Sequence, residues 1–173
     1  VEGSVERHKG EIFNRLDLMA ELKKQKILDW LESRKREIGF ILQDDGLVKD
    51  VLQITSGQII SRVSGGAYDA AKMNVLDHMQ DLVGSFPGFI RLDLITPGGE
   101  AILLSTQPER VDEKQDDEFL LLSRFAIEGH LGKVHPGDGL NKAEFHLGAP
   151  VVDENGAPIA LLVAAINPDD IIS

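Results

Sequence analysis

An arginine and an aspartate stand two residues apart inside an apolar run, FIRLDLI at 89–95. In a strand, alternate residues share a face, so Ile90, Leu92 and Leu94 go to one side and Arg91, Asp93 and Ile95 to the other. Arg91 on an inner face has a guanidinium able to fork a carboxylate. The alternative is a paired or solvent-facing couple at the sheet margin. If Pro97-Gly98 is a two-residue hairpin turn, Arg91 lies across from Leu104 and Asp93 from Ile102. Ser105 and Thr106, where the next strand ends, offer hydroxyls to a ligand or cap the following loop.

There are five histidines. His8 and His78 fall in helical segments and read as surface groups. His130 and His135 flank LGKV, on or beside a strand, and His146 sits in KAEFHLG, free in sequence terms to face either way. Imidazoles bind metals, but these spacings fit no metal motif, so a ligand-lining or solvated role is expected and no metal. Arg124, between Ser123 and Phe125, and Lys133 would put positive charge near a cleft in an otherwise acidic chain, which points to an anionic small molecule. The alternative for Arg124 is a wet pair with Asp116, Asp117 or Glu128, where little stability is gained. The candidate ligand residues are therefore Arg91, Asp93, Ser105, Arg124, His130, Lys133, His135 and His146.

Other chemistries find no support. The acidic runs QDD, DEKQDDE and NPDD lack the alternating ligands and central glycine of a calcium loop. No G-x-S-x-G, P-loop or Rossmann fingerprint occurs, and PGG and PGDG read as turns. With no cysteine, zinc-thiolate sites, disulfides and cysteine nucleophiles are excluded. A net charge of −11, from 29 acidic and 18 basic residues, disfavours nucleic acid and anionic lipid as main partners. No catalytic residue and no cofactor are expected.

The elements that must position these groups fall into two halves. Residues 5–45 carry apolar side chains at three- and four-residue steps, Ile12, Leu16, Met19, Ile27, Trp30, Leu31, Ile38 and Ile41, with Lys and Glu between. Proline is absent before position 87. If continuous from Glu11 to Asp45, this helix is longer than its own sheet needs, so part of its stripe should meet a second copy or an adjoining segment, and Gly10 and Gly39 are points where it could bend or break. QDDG at 43–46 stops it, a helix follows around 47–60, SGG breaks the chain, and 67–86 is amphipathic. After Pro87 come a hairpin, FIRLDLITPGGEAILLST, a charged loop, a short helix at 119–128 with Leu120, Leu121, Phe125 and Ala126 inside, and three strands. The closing strand, IALLVAAI, has no polar residue on either parity, so both its faces must be covered. The class expected is α+β, a long N-terminal helix packed on a five-stranded antiparallel sheet, with helices in 1–86 and the sheet and its cleft in 87–173, together one domain.

Three stretches carry a resemblance. KKQKILDWLESRKREIGFI is similar to the long first helix of Cache domains, the PAS-like extracytoplasmic sensor modules of bacterial chemoreceptors, sensor histidine kinases and cyclic-dinucleotide enzymes. FPGFIRLDLITPGGEAILLST resembles the family's first hairpin and GAPVVDENGAPIALLVAAI its closing one, with Ala160 where the family has glycine. The aromatic and acidic signature of the amino-acid-binding double modules is not recognisable, and one sheet can be counted, so the resemblance is to a single Cache-like module. It implies a periplasmic domain of a membrane receptor, cut from a longer chain with flanking transmembrane helices. Such a domain binds a small molecule, here a carboxylate by preference, over the sheet, and dimerises and signals through the first helix. A cytoplasmic PAS- or GAF-like dimerisation module, its pocket vestigial or holding a cofactor, is the rival. An enzyme with an unrecognised site is a weaker one.

Overall fold

The computed structural model describes residues 2–60, 65–96, 101–132, 135–136 and 143–168. Helix α1, Glu2–Leu42, runs unbroken through Gly10 and Gly39 and is about 60 Å long at ~1.5 Å per residue. Residues 3–29 are exposed throughout; burial begins at Trp30 and continues with Ile38 and Ile41. The stop at QDDG is an N-cap. Asp44 Oδ1 accepts from Leu47 N–H at 3.0 Å and opens α2, Asp45–Ile60. Helix α3, Gly65–Ser85, buries Ala71, Val75 and Met79, one per turn.

The sheet is antiparallel in the order β2-β1-β6-β5-β3, from β1 Phe89–Ile95, β2 Ile102–Ser105, β3 His130–Leu131, β5 Ala143–Val152 and β6 Pro158–Ile166. A two-residue β4, His135–Pro136, pairs with β5 in nearly the same register as β3, so both occupy the fifth strand position. The closing hairpin turns on Asp153, whose Oδ1 accepts from Asn155 and Ala157 N–H, both at 2.9 Å, with Gly156 at φ +77.

Both faces of β6 are covered, which answers its unbroken apolar character. Ala160, Leu162, Ala164 and Ile166 join Leu92, Leu94, Leu147, Ala149 and Val151 beneath the end of α1 and helices α2 and α3. Trp30 meets Phe145 edge-on at 5.7 Å there. Leu161 and Val163 lie on the opposite face with Ile95, Ile102, Phe119 and Leu120. Phe119 and Leu120 come from α4, Asp117–Phe125, which Asp116 caps by accepting from Glu118 and Phe119 N–H at 2.9 and 3.2 Å.

Two local expectations are corrected. The first hairpin pairs Asp93 with Ser105 and Leu94 with Leu104, then slips so that Ile95 pairs with Ile102. The link between β1 and β2 therefore spans six residues rather than two, and Leu103 is a bulge. In α4 the inward side chains are Phe119, Leu120 and Ser123; Leu121 and Phe125 are exposed. Four consecutive apolar residues, 119–122, leave the phase of so short a helix undetermined, and packing on Ile95, Ile102, Leu161 and Val163 selects it.

Candidate ligand site

Four side chains expected at a site converge on the α4 face of the sheet in part because of the bulge. It carries Ser105 onto the face of Arg91 and Asp93, and Ser105 Oγ donates to Asp93 Oδ1 at 2.6 Å while accepting from Gln107 N–H at 3.0 Å. Asp93 Oδ2 accepts from Arg91 Nε at 3.3 Å. Arg110, from the 3-10 turn Pro108–Arg110, brings its Nε to 3.9 Å from the same oxygen and pairs through Nη2 with Glu113 at 3.0 Å.

Arg91 also reaches across the sheet. Ala165 of β6 pairs with Arg91 on one side and His146 on the other. Its methyl group leaves the guanidinium room to pass over β6 to β5. Nη1 donates to both oxygens of Glu144, at 3.1 and 2.9 Å, and Nη2 lies 3.2 Å from His146 Nε2. His146 Nε2 is also 3.2 Å from Glu144 Oε2. That nitrogen either accepts from Arg91 or donates to Glu144, one at a time. Arg91 and Asp93 are 2% and 1% exposed, Glu144 and His146 8% and 7%, so the last two stand nearest the solvent. Burial acts to raise the Glu144 pKa. The His146 hydrogen bond and the Arg91 charge outweigh it and hold the carboxyl below its ordinary 4.5. Arg91 is thus shared by Asp93 and Glu144, while Arg110 serves Glu113 and stands near Asp93, and the couple Arg91–Asp93 is paired inside the sheet rather than at its margin.

Phe119 joins this cluster to a cleft. Its ring lies 6.3 Å from His146 and 5.8 Å from His130. The cleft, of about 240 Å³, is lined by Asp116, Glu118, Phe119, Leu122, His130, Leu131 and Gly132. Space for Phe119 depends on glycine, since a β-carbon at Gly132 or Gly148 would strike its ring. A larger open hollow of about 700 Å³ lies at the other end, between the α1–α2 junction and the closing hairpin. The convergent buried polar groups lie beside the former, which is the candidate ligand site.

Of the other candidates, His130 lines the cleft while Arg124 stays apart. Arg124 sits in the last turn of α4, and its Nε has no hydrogen-bond partner among the described residues. Lys133 lies outside the described residues. For His135 only the backbone is described, paired with Glu144. Two members escaped the sequence reading, Glu144 and Arg110. Glu144 shares the parity of His146, which could have flagged it. Arg110 had no such mark. Among the described residues no three His, Asp or Glu side chains are grouped to hold a metal ion.

No family model matches the chain, and no curated protein does. Solved structures do. The sensor domain of the V. cholerae histidine kinase DctB superposes with TM-score 0.64 at 12% identity, over 91% of this chain and 57% of that one. The ligand-binding domain of the Campylobacter jejuni chemoreceptor Tlp3, in complex with L-norvaline, gives 0.54 at 14% identity, over 87% and 56%. The E. coli DcuS sensor domain gives 0.52 at 12% identity, over 83% and 93%. The chain has the fold of a Cache-type sensor domain. It spans a little over half the length of the DctB and Tlp3 domains. These neighbours are sensor and ligand-binding domains. Among the described residues no helix is long and apolar enough to cross a membrane.

Proposed function

We propose that this chain is the extracytoplasmic ligand-sensing domain of a bacterial transmembrane receptor, a histidine kinase, chemoreceptor or cyclic-dinucleotide enzyme. In this reading it is one domain of a longer protein, periplasmic, flanked by membrane spans and without catalysis of its own. The carrying observation is a charged cluster buried on one sheet face beside a small cleft, in a fold shared with sensor domains. The ligand is a small molecule, and a carboxylate is favoured because Arg91 and His146 form a seat of matching geometry. The exposed stripe Ile12, Leu16 and Met19 on α1 suits a parallel pairing of two copies. Ligand must favour one arrangement of cluster and helix over another for a signal to arise.

One observation favours a second reading. Because Arg91 is already matched by Glu144 and Asp93, a cytoplasmic dimerisation module with a vestigial pocket would look the same at this site. Thermal stability against organic acids, amino acids, amines and sugars separates the two. A ligand at ~100 times its dissociation constant stabilises by ~2.7 kcal/mol, several degrees for this size. A shift confined to one chemical class supports the sensor, and a flat response across the panel supports the vestigial pocket.

A further inference from the structure

The Arg91 guanidinium already holds a carboxylate, both of whose oxygens lie within hydrogen-bond reach of Nη1, and that carboxylate belongs to the chain. Nη1 binds both Glu144 oxygens, His146 Nε2 stands against Oε2, and Nε is engaged by Asp93. The Arg91 side chain is 2% exposed, whereas that of Glu144 is 10% exposed and stands nearer the solvent. Among the described residues Glu144 holds Nη1, Asp93 holds Nε and His146 faces Nη2, so an external carboxylate competes with Glu144 for the guanidinium.

We infer that Glu144 is an internal occupant of the Arg91–His146 carboxylate seat, and that an external carboxylate enters only by exchange with it. The inference deepens the sensing reading and rests on it for the existence of an external ligand. Glu144 lies at the start of β5, one residue inside the strand's first position, where a side chain can swing outward without breaking the β5–β6 register, which begins at Phe145. When the seat is open only a fraction of the time, apparent affinity falls by that fraction. Glu144 thereby sets a threshold, so that only a ligand with contacts beyond its carboxylate, such as those the neighbouring cleft provides, displaces it.

The test uses a coincidence of atoms. Glu144→Ala removes everything beyond the β-carbon, a CH2–COO⁻ group, which is acetate less one hydrogen. Acetate, titrated against chloride at matched ionic strength, should raise the melting temperature of E144A and bind it at least about ten-fold more tightly than wild type. Glu144→Gln fills the seat with a neutral group of the same size and should respond to acetate as wild type does. Methylammonium, of similar size and opposite charge, should not stabilise E144A. Adding Arg91→Met to E144A should abolish the acetate response. If E144A does not fold unaided, refolding yield from urea with acetate against chloride gives the same comparison.

An acetate response equal in wild type, E144A and E144Q, or absent from E144A by both melting and refolding, overturns the inference. Persistence of the response in the double variant overturns the assignment to Arg91. Failure of the sensing reading looks different: acetate then rescues E144A although no compound of the panel shifts wild type. A panel ligand that binds wild type and is indifferent to Glu144 substitution leaves sensing intact and sinks the internal occupant.

Discussion

Ala165 places no more than a methyl group between Arg91 on β1 and His146 on β5. Ala165→Leu should part the two and overpack the face, costing about 1–3 kcal/mol, read as a lower urea midpoint at unchanged slope. Arg91→Met takes the shared guanidinium from Asp93 and Glu144, leaving Ser105 and Arg110 beside the one and His146 beside the other. It should cost about 3–5 kcal/mol, a fall in melting temperature on the order of 10 °C. Glu144 adds a pH dependence whose sign is fixed. Its pKa is lower folded than unfolded, so the unfolded chain binds more protons around and below pH 4.5. The stabilisation is full above that value and is lost as pH falls through the lower folded pKa. Melting curves from pH 7 to 3 should fall less steeply for Glu144→Gln than for wild type. At this scale strand alternation made Arg91 and Asp93 legible as a pair on one face. Glu144, 53 residues away, needed the β1-β6-β5 order; Ser105 was legible as a hydroxyl, but its placing beside Asp93 needed the bulge at Leu103, and neither order nor bulge is encoded in a local pattern.

The helices were legible in outline because apolar periodicity and stop signals are local properties: α1 ends at QDDG, and Pro87-Gly88 follows α3. The phase of α4 was not, because it is decided by what the helix packs on. That packing is tight. A β-carbon at Gly148 would collide with Ser123 Oγ and with the Phe119 ring. Gly148→Ala should therefore push α4 off the sheet, at about 1–3 kcal/mol, and weaken ligand binding in the cleft that Phe119 walls. Chemical shifts of His130 and His146, both packed on Phe119, would register the displacement, and a variant spectrum superposable on wild type would count against it. Across the sheet, the core meets α1 only from Trp30 onward. Deleting residues 1–25 should leave the melting temperature within a few degrees of the parent, since residues 3–25 are exposed throughout. The same deletion should abolish any concentration-dependent dimer seen by sedimentation, as should Leu16→Glu.

As a whole, the molecule is one sheet with two unequal sides. One is apolar throughout and carries α1–α3; the other holds a smaller apolar cluster, a charged network and the cleft. The apolar closing strand implied two covered faces before any coordinate, but not which face was polar. Both sides share the strands that carry the network, β1 and β5, and Phe145 and Leu147, next to His146, face the helices. Were exchange at Arg91 to displace β5, Trp30, which packs edge-on against Phe145, would meet the displacement first. From Trp30 the free part of α1 extends about 40 Å. It is a lever with a short arm in the core and a long arm outside. A tilt of about 5° at the pivot carries the far tip through roughly 3.5 Å over that length. An event too small to see in the sheet becomes, at the end of the shaft, a movement as large as an atom's diameter.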